Sequence, residues 1–156
     1  MDLPTVSRRL TPRAAIALQR RLASKVVPRL TEPLPPKPSV AGADVAYDKH
    51  SDRLFAAVVV LRLPELAVVE QATVCDRVRF PYVPGLLSFR EAPALLKCFR
   101  QLRQRPDVVL VDGHGVAHPR RFGIASHLGV LLDVPTIGCA KSILVGKHEP
   151  LGMRRG

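Results

Sequence analysis

Asp44, Glu91 and Asp112 are the three residues whose positions suit chemistry on a charged substrate. Asp112 ends the apolar run Val108-Val109-Leu110-Val111 and is followed by Gly113-His114-Gly115. Ligand sites in α/β sheets gather at the carboxyl ends of parallel strands, and paired glycines let backbone approach a ligand closely. The same Asp also reads as a turn residue that caps the next segment. Asp44 alternates with Ala41, Ala43, Val45 and Tyr47, so on a strand it shares a face with Gly42 and Ala46. Small neighbours leave room around a carboxylate there, while a solvent-facing Asp on a half-exposed sheet is the plainer reading. Glu91 follows Ser88 by three residues, the spacing of a capping box. Pro93 argues against that box and for a helix that starts near Ala92, leaving Glu91 free. Three such carboxylates brought together would suit a hard cation such as Mg²⁺, which takes few carboxylates and keeps water and phosphate oxygens as its other ligands.

Other groups extend the set. Pro81-Tyr82-Val83-Pro84 fixes an aromatic ring on a stiff turn, where it could stack on a base or wedge into a duplex, or fill a strand-to-helix junction as core. His114, His118 and His127 lie close together with Arg120 and Arg121 between them, a spacing without the Cys partners of a zinc site. Phosphate contact or proton transfer suits one of these histidines, and packing suits His127, which sits between Ser126 and Leu128. Lys141 closes the loop after the last strand, where its ammonium meets either a phosphate or solvent.

The elements that must position these groups follow from periodicity. Thr11-Pro12 starts a helix whose apolar stripe is Ala15, Leu18, Leu22 and Val26. This helix packs on the core or lies along a nucleic-acid backbone. Pro33, Pro35, Pro36 and Pro38 make a stiff connector, so the chain divides into residues 1–38 and a core from 39 to 156. Strands are expected over Val40–Asp48, Leu54–Leu63 and Leu66–Val78, joined by short turns as an antiparallel meander. A helix is expected from Ser88 to Arg105, then a buried parallel strand around Val108–Val111, a helix over Gly123–Leu132 and a last strand over Val134–Gly138. The order βββαβαβ predicts an α/β fold, a mixed sheet with flanking helices.

The 156 residues carry 24 Lys plus Arg against 13 Asp plus Glu, a net charge of +11. That charge draws polyanions, of which nucleic acid is the commonest. Met1–Val6 has no apolar run behind it, and no segment approaches the length of a membrane span. Cys75, Cys98 and Cys139 are odd in number and far apart, which fits neither a disulfide framework nor a zinc site and fits a reducing cytoplasm.

Five blocks in register resemble the endonuclease V family: Ala41–Val45, Pro81–Glu91, Val111–Gly115, His118–His127 and Val134–Lys141. The resemblance implies a ribonuclease H-like fold and an endonuclease that cuts DNA on the 3′ side of deoxyinosine, one nucleotide beyond it, leaving a 3′-hydroxyl and a 5′-phosphate. It implies DNA with deaminated bases as partner, with inosine in RNA as a further substrate, and Mg²⁺ as cofactor, for which Mn²⁺ can substitute. By the same resemblance Asp44, Glu91 and Asp112 match metal-binding acids and Tyr82 matches a strand-separating wedge. Gly85, Leu87 and Gly113 match the pocket for a flipped-out base, and His118 and Lys141 match basic residues near the reacting phosphate. Arg120 joins the groups expected to touch nucleic acid. The resemblance ends near Leu151, whereas relatives continue with further strands, a late metal-site His and a closing helix. The expectation is therefore a chain short of its C-terminal part, with lowered turnover. The competing readings are a nucleic-acid-binding remnant without turnover and another nuclease of the same fold.

Overall fold

The computed structural model describes residues 10–150, 152 and 153. The sequence readings at Met1–Val6 and at Leu151 lie outside them. Five strands form one sheet in the order β3-β2-β1-β4-β5. β1 (Ser39–Tyr47), β2 (Arg53–Arg62) and β3 (Ala67–Arg77) pair antiparallel, and β4 (Val108–Val111) and β5 (Thr136–Gly138) extend the sheet in parallel from β1. This is the mixed sheet that the apolar runs and short turns predict. Its central strands are rich in Val, which suits a pleated, packed surface.

Period-two burial divides the sheet into two unlike faces. Ala41 and Ala43 of β1, Leu54, Ala56, Val58 and Val60 of β2, and Val109 and Val111 of β4 are buried on one face. There they meet Leu95, Cys98 and Phe99 of α2 (Leu87–Phe99) and Ile124, Ala125 and Leu128 of α3 (Ile124–Leu132) in one core. The other face bears register partners that no described element covers. Phe55 is 47% exposed, Val68 60%, Leu110 38% and Ile137 54%. Asp44 lies on this open face beside Gly42 and Ala46, as its alternation with buried Ala41 and Ala43 requires.

Both boundaries of α2 differ from the sequence reading. α2 does not start near Ala92 and is not capped by Ser88. It runs unbroken from Leu87 through Pro93, its N-cap Leu86 contributes no side-chain bond, and Ser88 Oγ is buried without a partner. Pro93 falls on the exposed side of the helix, where water can serve the carbonyl that its missing N–H leaves free. α2 also stops at Phe99 rather than Arg105. Gln101 and Leu102 turn back to Cys98 and Phe99, and the Arg103 N–H goes to Glu70 Oε1 of β3 at 2.8 Å. A tertiary acceptor wins over continued helix because it satisfies a backbone donor that the sheet edge holds in place.

α1 (Pro12–Ala23) begins as its Thr-Pro start predicts, with Thr11 Oγ1 accepting from the Ala14 N–H at 3.2 Å. It ends before Val26. Its buried positions are Ala15 and Gln19 rather than an all-apolar stripe. Ala15 packs with Phe80, Leu86 and Phe89 in a second, smaller core. No helix among the described residues is long and apolar enough to cross a membrane.

Candidate functional site

Asp44 and Asp112 come together because β1 and β4 are parallel neighbours. Ala43 pairs with Val111, and the Asp112 N–H donates to the Ala43 carbonyl at 3.2 Å. Each Asp is therefore the residue just past the paired positions. Glu91 approaches from α2, which packs on β1. It is buried, and burial first, then the negative charges of Asp44 and Asp112, push its carboxyl above the usual range. The Tyr47 hydroxyl opposes that shift by donating to Glu91 Oε1 at 2.8 Å. The Arg90 guanidinium stacks over the Tyr47 ring, 4.9 Å from its centroid. Tyr47 has its own proton held tightly, by burial and by the Glu91 bond. Sequence reasoning assigned it no role. Its signal is the period-two alternation that places it on the helix-facing side of β1.

Lys141, on the exposed loop after β5, donates to Asp112 Oδ2 at 2.7 Å, and its ammonium is stabilised by that bond and by the charge of Asp44. Among the described residues no three His, Cys, Asp or Glu side chains close into a single ligand group. Glu91 is turned to Tyr47 and Asp112 to Lys141. Both partners are hydrogen-bond donors, which a cation can replace. The donor set is all oxygen, carries three carboxylates and raises the affinity of Glu91 for positive charge, so its chemistry fits a hard divalent ion.

A second group of residues is built around one carbonyl. Gly85 O accepts from Gln19 Nε2 at 3.0 Å, Arg120 Nη2 at 2.8 Å and His118 Nε2 at 3.1 Å. Gly85 sits at φ +77°, and a Cβ there would stand 2.6 Å from Arg120 Nη2, so both backbone and space demand glycine. Gln19 is 1% exposed; its amide also donates to Phe122 O at 2.7 Å and its carbonyl accepts from Arg120 Nε. His118 is buried, and burial and the Arg120 charge lower its pKa. The Arg120 N–H donates to His118 Nδ1 at 3.2 Å, so the ring is neutral with its proton on Nε2. His118 and Arg120 thus hold the loop that carries Tyr82, and Gln19, which sequence reasoning missed, joins them.

Tyr82 itself is 74% exposed, presented on its proline-flanked turn and not packed in a core. Leu87 is partly exposed at the start of α2. Gly113 has φ +143°, and a Cβ would meet Ile124 Cγ2 at 2.5 Å, so the turn after Asp112 packs directly on α3. His114 Nε2 lies 2.9 Å from the Ser142 carbonyl. His127 packs between Phe89 and Phe122, with ring centroids 5.0 and 5.1 Å away, and burial pushes its pKa down to about 4.

The Endonuclease V family model matches residues 20–156. The chain belongs to the Endonuclease V family. Endonuclease V of Gloeobacter violaceus is 55% identical over 142 residues, 90% of this chain and 57% of that protein. The crystal structure of Endonuclease V from Streptomyces avermitilis superposes with a TM-score of 0.85 at 49% identity, covering 94% of this chain and 64% of that one. Endonuclease V of Ciona intestinalis, solved in complex with a 24mer DNA containing an inosine followed by a ribo-adenosine, gives a TM-score of 0.76 at 34% identity, over 83% of this chain and 57% of that one. This chain spans about three fifths of the length of the curated Endonuclease V relatives it matches.

Proposed function

We propose that this chain is a metal-dependent endonuclease of deaminated-base repair, cutting DNA on the 3′ side of deoxyinosine. The observation that carries the reading is the convergence of Asp44, Glu91 and Asp112 from β1, α2 and β4, close enough that two of them raise the pKa of the third. Asp44, Glu91 and Asp112 would hold Mg²⁺, or Mn²⁺ in its place. When bound, such an ion supplies Lewis acidity at the phosphorus and neutralises charge on the phosphoryl oxygens. In the reaction water attacks phosphorus, the bond to O3′ breaks, and the proton ends on that oxygen, giving a 3′-hydroxyl and a 5′-phosphate.

The chain's own residues have separate tasks. Lys141, released from Asp112, offers its ammonium to the phosphate. Tyr47 keeps Glu91 oriented and favours its ionised form. Tyr82 fills the gap left by an extruded base, and Gly85, Leu87 and Gly113 line the place where that base would sit. His118 and Arg120 fix the Gly85 carbonyl, and with it the turn that presents Tyr82. The pocket reads a base that is the same in DNA and RNA, so inosine in RNA is a second substrate of this reading.

Binding without turnover is a second reading, favoured by the Lys141–Asp112 contact and by the absence, among the described residues, of a closed ligand group. One experiment separates the two. An end-labelled duplex with a single deoxyinosine is incubated with the chain and Mg²⁺, Ca²⁺ or chelator. The expected product is one nick, one nucleotide 3′ of the inosine, with Mg²⁺ only. Tight binding of that duplex with no nick in any metal supports the second reading, and equal cutting of an undamaged duplex overturns the first.

A further inference from the structure

We propose that the groove between α1 and the 116–121 loop is a binding track for the sugar-phosphate backbone, with Arg20 and Arg121 as its phosphate-contacting cations. The groove has a volume of about 510 Å³ and includes Arg20 and Val26 on one side and Val116, Pro119, Arg120 and Arg121 on the other. No carboxylate lines it, and among the described residues none of its three arginines forms an ion pair. Three guanidinium groups facing one groove repel one another, and an anion relieves that repulsion. Arginine is the side chain whose planar fork matches phosphate oxygens. The Val and Pro walls suit the carbon surface of a pentose.

Two features point to a polynucleotide rather than a small anion. Arg120 belongs to the groove and to the Gly85 clamp at once. Two of its five N–H donors go to Gln19 and Gly85, and three remain. The track therefore continues from the turn that presents Tyr82, as a strand running away from that turn would need. Arg121 is held at φ +53°, a left-handed conformation that a non-glycine residue adopts only at a cost. Its N–H donates to the His118 carbonyl at 2.7 Å, which fixes that turn. Strain of this kind concentrates where a side chain has work to do. Glycine would serve the turn better, so the side chain is what arginine adds.

This inference rests on the nucleic-acid reading above, and the test keeps the two apart. Binding of a fluorescent duplex, with and without one deoxyinosine, is measured in Ca²⁺ across a range of salt. Each phosphate contact contributes about 0.9 to the slope of log affinity against log salt. Arg20→Ala combined with Arg121→Gly is expected to make the slope shallower by about two, equally for both duplexes, because backbone contacts carry no base information. Arg121→Gly also relieves the left-handed backbone, so the thermal midpoint should hold or rise, which separates lost binding from lost folding. A control that removes two ion-paired cations elsewhere, Lys37→Ala with Arg105→Ala, should leave the slope unchanged. An unchanged slope in the Arg20/Arg121 variant overturns the track. So does a fall matched by the control, or displacement of the duplex by polyglutamate as effectively as by an oligonucleotide of equal charge. A parent chain that binds both duplexes alike in Ca²⁺ and nicks neither in Mg²⁺ sinks the inosine reading while leaving the slope comparison decisive for the groove.

Discussion

Tyr47 and Glu91 meet across the junction of β1 and α2, the phenol hydroxyl 2.8 Å from Glu91 Oε1. The bond favours the ionised form of a buried carboxylate and so opposes its desolvation and its two acidic neighbours. Removing the hydroxyl with Tyr47→Phe should push the Glu91 pKa further up. If cleavage needs Glu91 ionised, the acid limb of the pH–rate profile moves to higher pH, with the plateau rate recovered at alkaline pH. A profile superimposable on the parent's would show that Tyr47 only packs.

Asp112→Asn removes one negative charge with almost no change in shape. It should abolish most nicking and leave binding of the inosine duplex in place. The exposed Lys141 pair it breaks contributes little to stability, so the thermal midpoint should stay near the parent's. Single-turnover rates near the parent's would remove Asp112 from the reaction.

Tyr82→Ala should be silent for folding, given how far the ring projects into solvent. Loss of base stacking costs about 1–3 kcal/mol, which should appear as weaker preference for inosine over undamaged duplex, with general affinity nearly kept. Equal loss on both duplexes would assign Tyr82 to the backbone instead.

Gln19→Leu keeps volume and removes the amide. The Gly85 carbonyl retains two donors, but the Phe122 carbonyl loses its side-chain donor in a buried place, a penalty of about 1–3 kcal/mol. Urea unfolding should show that loss, and preference for inosine should fall with it, because the Gly85 turn loosens. Unchanged stability would mean that water replaces the amide.

His127 gives the fold an acid limit. Its folded pKa is about 4 against an ordinary 6.5. Between those values the unfolded chain binds a proton that the folded chain refuses, so stability is full above pH 6.5 and falls as pH drops toward 4. The shift corresponds to on the order of 3 kcal/mol. His118, also lowered, acts in the same direction. Thermal midpoints measured from pH 7 to 4 should decline, and His127→Phe should flatten the decline. An equally steep decline in that variant would place the acid sensitivity elsewhere.

What the sequence made legible was what repeats locally. Alternation put Ala41 and Ala43 inside and Asp44 outside, and the Val108–Val111 run announced a strand ending at Asp112. What it hid depends on partners far along the chain. Gln19 looks like an ordinary helix-surface residue because its partners, Gly85, Phe122 and Arg120, lie 66 to 103 residues away. The Tyr47–Glu91 bond spans 44 residues. The end of α2 is set by Glu70 on β3, and no residue within the helix signals it. His118 is expected near the reacting phosphate, and the partners of its two ring nitrogens, the Gly85 carbonyl and the Arg120 N–H, are set by the folded turn.

The uncovered sheet face makes salt a two-edged reagent for this molecule. With Phe55, Val68, Leu110 and Ile137 open to water and an excess of basic groups, the chain should behave in solution as a charged colloid with one adhesive side. Low ionic strength keeps particles apart through their like charge but lets any polyanion cling. High ionic strength strips the polyanion and, by shortening the screening length to about 3 Å at 1 M, also removes the repulsion that separates the adhesive sides. Handling conditions that would free the chain from any bound polyanion are therefore those in which turbidity should first rise.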